Sequence, residues 1–365
     1  MQWRAGTVLE QVRHWRGAVE CTVALDDAPD SSVRALAYTA MVGTPRTGER
    51  VLLNASALLR GLGTGGLAFV VARPDDLPAD PEQGAGHIVK ARYTPMQQML
   101  LAVDEQDSRH HQQLADADDL EGMPVVVADL HSALPAVLAG IRAVAPDARV
   151  AYVMTDGGAL PAAFSRAVAG LAGAGWLAST ITVGQAFGGD HEAVTTHTGL
   201  LAARHVVGAD VTVVAQGPGN VGTGTRWGYS GVACADALHA ADVLGGRGVA
   251  SLRVSGADPR PRHRGISHHS RTAYGRALLT PADVPVTTLP GHDLDALVRT
   301  QLDDLVSRAR ARLTVVEVPA EGLLDALRTS PVALTTMGRG LDEDPAPFVA
   351  AAAAGAYAAA VSARP

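Results

Sequence analysis

The sequence predicts an α/β protein: a mostly parallel sheet with helices on both faces, preceded by a small N-terminal antiparallel β domain of barrel type. Three observations predict it. Apolar residues recur at period two in short bursts over residues 1–72. Continuous apolar runs, each followed by a glycine-rich turn and a helical pattern, take over beyond residue 120. A Pro-, Asp- and Gly-rich stretch separates the two textures. The chain is accordingly read as a β domain over 1–72, a linker over 73–86 and an α/β domain over 87–365 that carries the polar motifs.

In the first domain Val19, Cys21, Val23 and Leu25 form one alternating burst, and Val33, Ala35, Ala37 and Thr39 another. The turn formers Asp26–Asp30, Gly43-Thr44-Pro45 and Gly61–Gly66 punctuate them. In the second domain strands are expected at Pro124–Ala128, Arg149–Met154, Ser179–Val183, Val211–Ala215, Val249–Val254, Val286–Leu289, Leu313–Val318 and Val332–Thr336. Strands without polar alternation are buried on both faces, which is the signature of a parallel sheet between helical layers. Leu294–Leu313 reads as an amphipathic helix. The Ala-rich Pro347–Val361 reads as a packed terminal helix, too short for a membrane span.

Composition narrows the functional classes. A net charge of −7 and a pI near 6.0 argue against a protein that wraps nucleic acid, which needs a basic face. The two cysteines, Cys21 and Cys234, support neither a disulfide framework nor a cysteine zinc site. No secretory h-region and no long uncharged apolar run is present, so a cytoplasmic protein without membrane partners is expected. Of 30 basic residues only Lys90 is lysine. A compact, titratable ammonium retained amid arginines marks Lys90 as a candidate functional group.

In open α/β sheets ligands bind beyond the carboxyl ends of the strands. The segments there are Thr155-Asp156-Gly157-Gly158, then Gly184 to Glu192, then Gln216 to Thr225, then Ser255 to Ser270. The run Gly217-Pro218-Gly219-Asn220-Val221-Gly222 matches GxGxxG, but Gly224, Gly228 and Gly231 deny it the helix that a dinucleotide site needs. A glycine-lined anion nest fits better, with backbone N–H groups of Gly217, Gly219, Asn220 and Gly222 and the hydroxyls of Thr223 and Thr225 as donors; a loop that simply needs positive φ is the plain alternative. Arg260 and Arg262, with His269, are the expected anion clamps nearby. Lys90, Asp156, Asp190, Glu192 and His268 are the acid–base and electrostatic candidates. His191-Glu192 is followed by Thr195, so HExxH fails and no metal is expected. Were one bound, His191, His263, His268 and Asp190 would be its ligands. Adjacent His268 and His269 are expected to diverge, so that only one reaches a shared ion.

The motifs GHIVKARYTP (86–95), MTDGGALP (154–161), ITVGQAFGGDHEAV (181–194), GPGNVGTGT (217–225), DPRPRHRGISHHS (258–270) and TTMGRG (335–340) together resemble DUF3866, a bacterial family of unknown function. The resemblance spans nearly the whole chain and implies a bacterial intracellular protein. It brings no activity, substrate, cofactor or catalytic residue. The residues themselves point first to an enzyme acting on a small anionic ligand, phosphorylated or nucleotide-like, at the strands' carboxyl ends. A metal-dependent hydrolase using the His/Asp/Glu cluster is one alternative, and a non-catalytic ligand sensor or partner-binding protein another. Neither a cofactor nor an oligomeric state is specified by the sequence.

Overall fold

The computed structural model describes residues 1–63, 65–80 and 84–362; Thr64 of the Gly61–Gly66 run and residues 81–83 of the expected linker lie outside them. By compactness the chain divides into two units. One comprises Met1–Leu100 with Ala163–Ala169, the other Leu101–Ala162 with Gly170–Pro365. Residues 87–100, read from the sequence as part of the α/β domain, thus group with the β unit.

The first unit is a closed barrel of β1 (Trp3–Trp15), β2 (Ala18–Leu25), β3 (Ala28–Tyr38), β4 (Arg50–Asn54) and β5 (Ala68–Ala72), in the order β1-β2-β3-β5-β4. Alternation puts Val8, Val19, Cys21, Val23, Ala35, Val51, Leu53 and Val70 into one core. All pairings are antiparallel except β3 with β5. Two register shifts in β1, at Val8/Glu10 and Gln11/Arg13, bend that long strand around the barrel. A second cluster forms where Trp15 donates its indole N–H to the Ala163 carbonyl (2.7 Å) and Phe164 meets Phe69. A hairpin of β6 (Ile88–Lys90) and β7 (Gln98–Leu100) completes the unit and buries Lys90 opposite Gln98.

The second unit is built on β8 (Pro124–Ala128), β9 (Val150–Thr155), β10 (Ser179–Thr182), β11 (His191–Glu192), β12 (Val211–Gln216) and β13 (Arg247–Ala250). After the small hairpin of β14 (Val254–Ser255) and β15 (Gly265–Ile266) come β16 (Ala282–Val286) and β17 (Leu313–Glu317). Eight of these form one parallel sheet in the order β11-β10-β9-β12-β8-β13-β16-β17, as the apolar runs require. Helices Leu134–Val144, Leu323–Arg328 and Ala346–Ser362 pack together as one layer, and Thr196–Leu201 and Cys234–Val243 as another. None of the described helices is long and apolar enough to cross a membrane.

Three expected strands differ. Val249–Val254 splits, because the chain leaves the sheet after Ala250 and Val254 pairs instead with Ile266. The run Val286–Leu289 is displaced by Ala282–Val286, whose Pro285 is tolerated because the β13–β16 ladder is reduced to the single pair Val249 and Asp283. Val332–Thr336 adds nothing to the large sheet. Only Thr335–Thr336 is extended (β18), closing a two-residue hairpin with β19 (Arg339–Gly340) through Met337 and Gly338, both at positive φ.

Candidate functional site

The strand order has one reversal. From β8 the chain crosses β12 to reach β9, β10 and β11, then returns to lay β12 beside β8 and crosses β8 to reach β13. The connections leaving β8 and β12 run in opposite directions, which opens a crevice at the carboxyl ends of these two neighbours. The first residue beyond β8 is Asp129 and the last of β12 is Gln216. They meet directly: the Gln216 amide donates to the Asp129 carbonyl at 2.8 Å. Gln216 is 5% exposed and its Oε1 has no hydrogen-bond partner among the described residues. A buried acceptor left in this state is a place for a donor from water or ligand.

The Asp129 carboxylate is buried and meets two cationic or proton-bearing groups. Its Oδ2 lies 3.2 Å from His269 Nδ1 and 3.5 Å from Arg253 Nη1. Burial alone would raise its pKa, but the His269 hydrogen bond and the Arg253 charge outweigh burial and hold it below the usual carboxylate value. Arg253 follows β13, on the far side of β8, so the crevice draws one residue from each flank. His269 Nδ1 also lies 3.0 Å from Arg253 Nη1 and 3.4 Å from Asn220 Nδ2. Tyr229 stacks flat on the His269 ring, centroids 3.8 Å apart, and its hydroxyl donates to the His269 carbonyl at 2.7 Å. Ser230 donates to Asn220 Oδ1, fixing that amide against the histidine.

Local sequence explains why the histidines converge. Ser267 caps the short helix His268–Thr272, its hydroxyl accepting from the His269 N–H, while the same oxygen lies 2.8 Å from His263 Nδ1. The cap turns His268 and His269 back over His263. The adjacent side chains, expected to diverge, instead have ring centroids 4.5 Å apart, and each lies about as close to His263, at 4.9 and 5.1 Å. A π-helical turn follows at Ala273–Ala277, where the Tyr274 hydroxyl bonds the carbonyls of Val127 and Ser251 and so ties this element to β8. Burial, then the charges of Arg253 and Arg260, lowers the His263 pKa to about 3; burial, then His269 and Arg262, lowers that of His268 to about 4. Both rings are neutral lone-pair donors at pH 7.

Beside this cluster a cavity of about 30 Å³ is lined by Asp129, Arg253, Ser132, Ser255, Asp258, Thr336, Met337 and Arg339. Its floor is ionic. Asp344, 2% exposed, accepts from Ser255 and from the Gly256 N–H, and pairs with Arg339, which also reaches Asp258. The volume is that of two or so waters.

The other residues singled out by the sequence have separate settings. Asp156, at the end of β9, accepts from the Gln185 N–H and anchors the loop after β10. Asp190 lies beside the start of β10, where its Oδ2 accepts from the N–H and hydroxyl of Thr180, both at 2.8 Å. Glu192 is buried and accepts from Thr182 and from the Gly188 N–H. His191 meets His110 edge-on at that same flank, away from His263 and His268. Asp190 and Glu192 therefore hold the edge of the sheet and do not join the histidine cluster. Lys90 belongs to the barrel unit.

The glycine loop is shaped by its own contacts. Gly217 is needed because a β-carbon there would run into the Ala159 carbonyl. Gly219, at φ +93°, faces open space, and Gly222 bridges Tyr229. Thr223 and Thr225 bond each other and Gly228, which closes the loop's exposed tip. Only Asn220 of this set reaches the cluster. Arg260 is held by a two-pronged bond to Asp258, whose pKa that guanidinium depresses, whereas Arg262 is exposed. Asp129 and Arg253, which organise the site, escaped the sequence reading because neither sits in a glycine- or histidine-rich motif. The available signal was position: each closely follows a buried strand.

No curated protein and no solved structure matches the chain. The family model described as Protein of unknown function (DUF3866) matches residues 34–355, so the chain belongs to that family.

Proposed function

We propose that the protein is an enzyme that takes the anionic head group of a small molecule at the carboxyl edge of its parallel sheet and performs acid–base chemistry there. The observation that carries this reading is the shared use of Arg253. It lines the cavity together with Arg339 and four hydroxyl-bearing residues, Ser132, Ser251, Ser255 and Thr336, and through the same guanidinium it contacts Asp129 and His269. Arginine's planar fork suits carboxylate or phosphate, and among the described residues Arg253 meets both neighbours through Nη1, which leaves its other donors for a ligand. A cavity of about 30 Å³ takes the oxygens of a head group and not a nucleoside, so the rest of the molecule lies outside it.

The chemistry follows from the pairing. With the Asp129 carboxylate ionised and holding His269 Nδ1–H, His269 Nε2 offers a lone pair to a substrate proton, and the buried carboxylate stabilises the imidazolium that forms. The unpaired Gln216 Oε1 supplies an acceptor for a ligand hydroxyl in the adjoining crevice.

Thermal-shift titration with phosphate, phosphate monoesters and dicarboxylates tests the reading. At least one class should raise the melting temperature as its concentration rises, and Arg339→Gln should weaken the response. A flat response to every class contradicts the proposal. Binding without turnover of any tested ester favours a ligand sensor.

A further inference from the structure

One proton transfer needs one imidazole, and this site assembles three. Each of His263, His268 and His269 presents a ring nitrogen, and the three nitrogens lie within 4.8 Å of one another. Two of the residues are nearly out of solvent, at 3% and 8% exposed for His263 and His269. Turning several polar rings toward one point away from water is costly unless a shared partner accepts their lone pairs. We propose that His263, His268 and His269 together bind one divalent first-row transition-metal ion of the zinc class, with a fourth position open to water or substrate. The inference deepens the reading of the same site and rests on it only for what the ion would act upon.

The donor set selects the ion. Three imidazole nitrogens suit zinc, cobalt, nickel or copper and not the oxygen-seeking calcium or magnesium. Three protein ligands with an open fourth position is also the arrangement of catalytic zinc, whereas structural sites are closed by four. Tetrahedral zinc with nitrogens at about 2.0–2.1 Å places those nitrogens about 3.4 Å apart, against separations of up to 4.8 Å here.

A second, independent observation is the outer contact of two rings. His263 Nδ1 lies 2.8 Å from Ser267 Oγ, and His269 Nδ1 lies 3.2 Å from Asp129 Oδ2. Proteins orient a ligating histidine in this way, holding Nδ1–H so that Nε2 points its lone pair at the ion. It also resolves the crowding at His269. Nδ1 cannot donate to Asp129 and accept from Arg253 at once. An ion on Nε2 leaves Nδ1–H donating to the carboxylate, with Arg253 as that carboxylate's counter-charge at 3.5 Å. The surrounding charge is nearly balanced, since Arg253 faces Asp129 and Arg260 faces Asp258. The lone pair that would take a proton is then given to the ion, and proton handling passes to the water on its fourth position.

The test uses full-length protein without a histidine tag, stripped of metal and reloaded with zinc or cobalt(II). Elemental analysis should find about one ion per chain, and cobalt should give the visible spectrum of a four-coordinate nitrogen site. His268→Gln should weaken binding roughly tenfold or more, Asp129→Asn by about 10–100-fold, and His191→Gln not at all. Because His263 is buried and its replacement can cost the fold, the half-exposed His268 is the deciding position. Folded wild-type protein that takes up far less than one equivalent of either ion overturns the proposal. So does an equivalent of metal whose affinity is unchanged by His268→Gln. An anion-induced thermal shift in wild-type protein that takes up no metal sinks this inference alone, and metal binding without any anion response sinks only the preceding one.

Discussion

Asp129, 4% exposed, carries three neighbours at once: His269 and Arg253 at its carboxylate and Gln216 at its carbonyl. Removing one partner of a buried ion pair strands the other charge. Asp129→Ala should therefore cost about 3–5 kcal/mol in urea-unfolding stability, well beyond the packing of one small side chain. Asp129→Asn keeps the shape and should cost less. An equal, small loss for both variants would show that Arg253 finds water. A second residue gives a pH signature. His131 Nδ1 lies 3.0 Å from the Tyr152 hydroxyl, and burial lowers its pKa from 6.5 to about 4, against a smaller opposing effect of the Gln216 backbone. The folded pKa lies below the unfolded one, so the unfolded chain binds the proton first. Stability due to neutral His131 is complete above pH 6.5 and lost as pH falls towards about 4. Denaturation midpoints across that window should fall less steeply in His131→Gln than in the wild type.

At the scale of elements, the helix pair Leu134–Val144 and Ala346–Ser362 shows what local pattern conveys and what it hides. The Ala-rich tail announces a helix buried on all sides, and the structure has it from Ala346 to Ser362. Its partner is not announced. Gly140 and Gly355 lie where the two backbones touch: a β-carbon on Gly140 would meet the Ala352 carbonyl, and one on Gly355 the Val137 carbonyl. Helix propensity alone makes Gly140→Ala stabilising by about 1 kcal/mol. Overpacking against backbone, which cannot rotate away, costs about 1–3 kcal/mol or more. The packing term should win, leaving Gly140→Ala less stable than the wild type in thermal unfolding. A raised melting temperature would mean that the helices separate freely. The strands were similarly legible where buried on both faces, as at Pro124–Ala128. Val332–Thr336 misled because a short apolar run has no period to tell a strand from a hairpin arm or coil.

At the scale of the molecule, the parallel sheet and the barrel follow from period and punctuation, and the carboxyl edge follows from the parallel sheet. Which residues meet there depends on strand order, and the crossing of β8 by the chain between β12 and β13 leaves no local trace in the sequence. His268, His269 and Asn220 were legible as polar groups after strands. Asp190 looked equivalent but returns alongside Thr180 at the start of β10, because its loop folds back to add the edge strand β11. The anionic ligand is proposed to bind at the switch-point crevice around Asp129 and Arg253. Crystals soaked in tungstate, a phosphate mimic located by its anomalous scattering, test this most directly. A principal site is expected within hydrogen-bonding distance of Arg253 or Arg339, lost on competition with phosphate. Tungstate found only on surface arginines remote from that cavity, with the crevice vacant at saturating concentration, would contradict it.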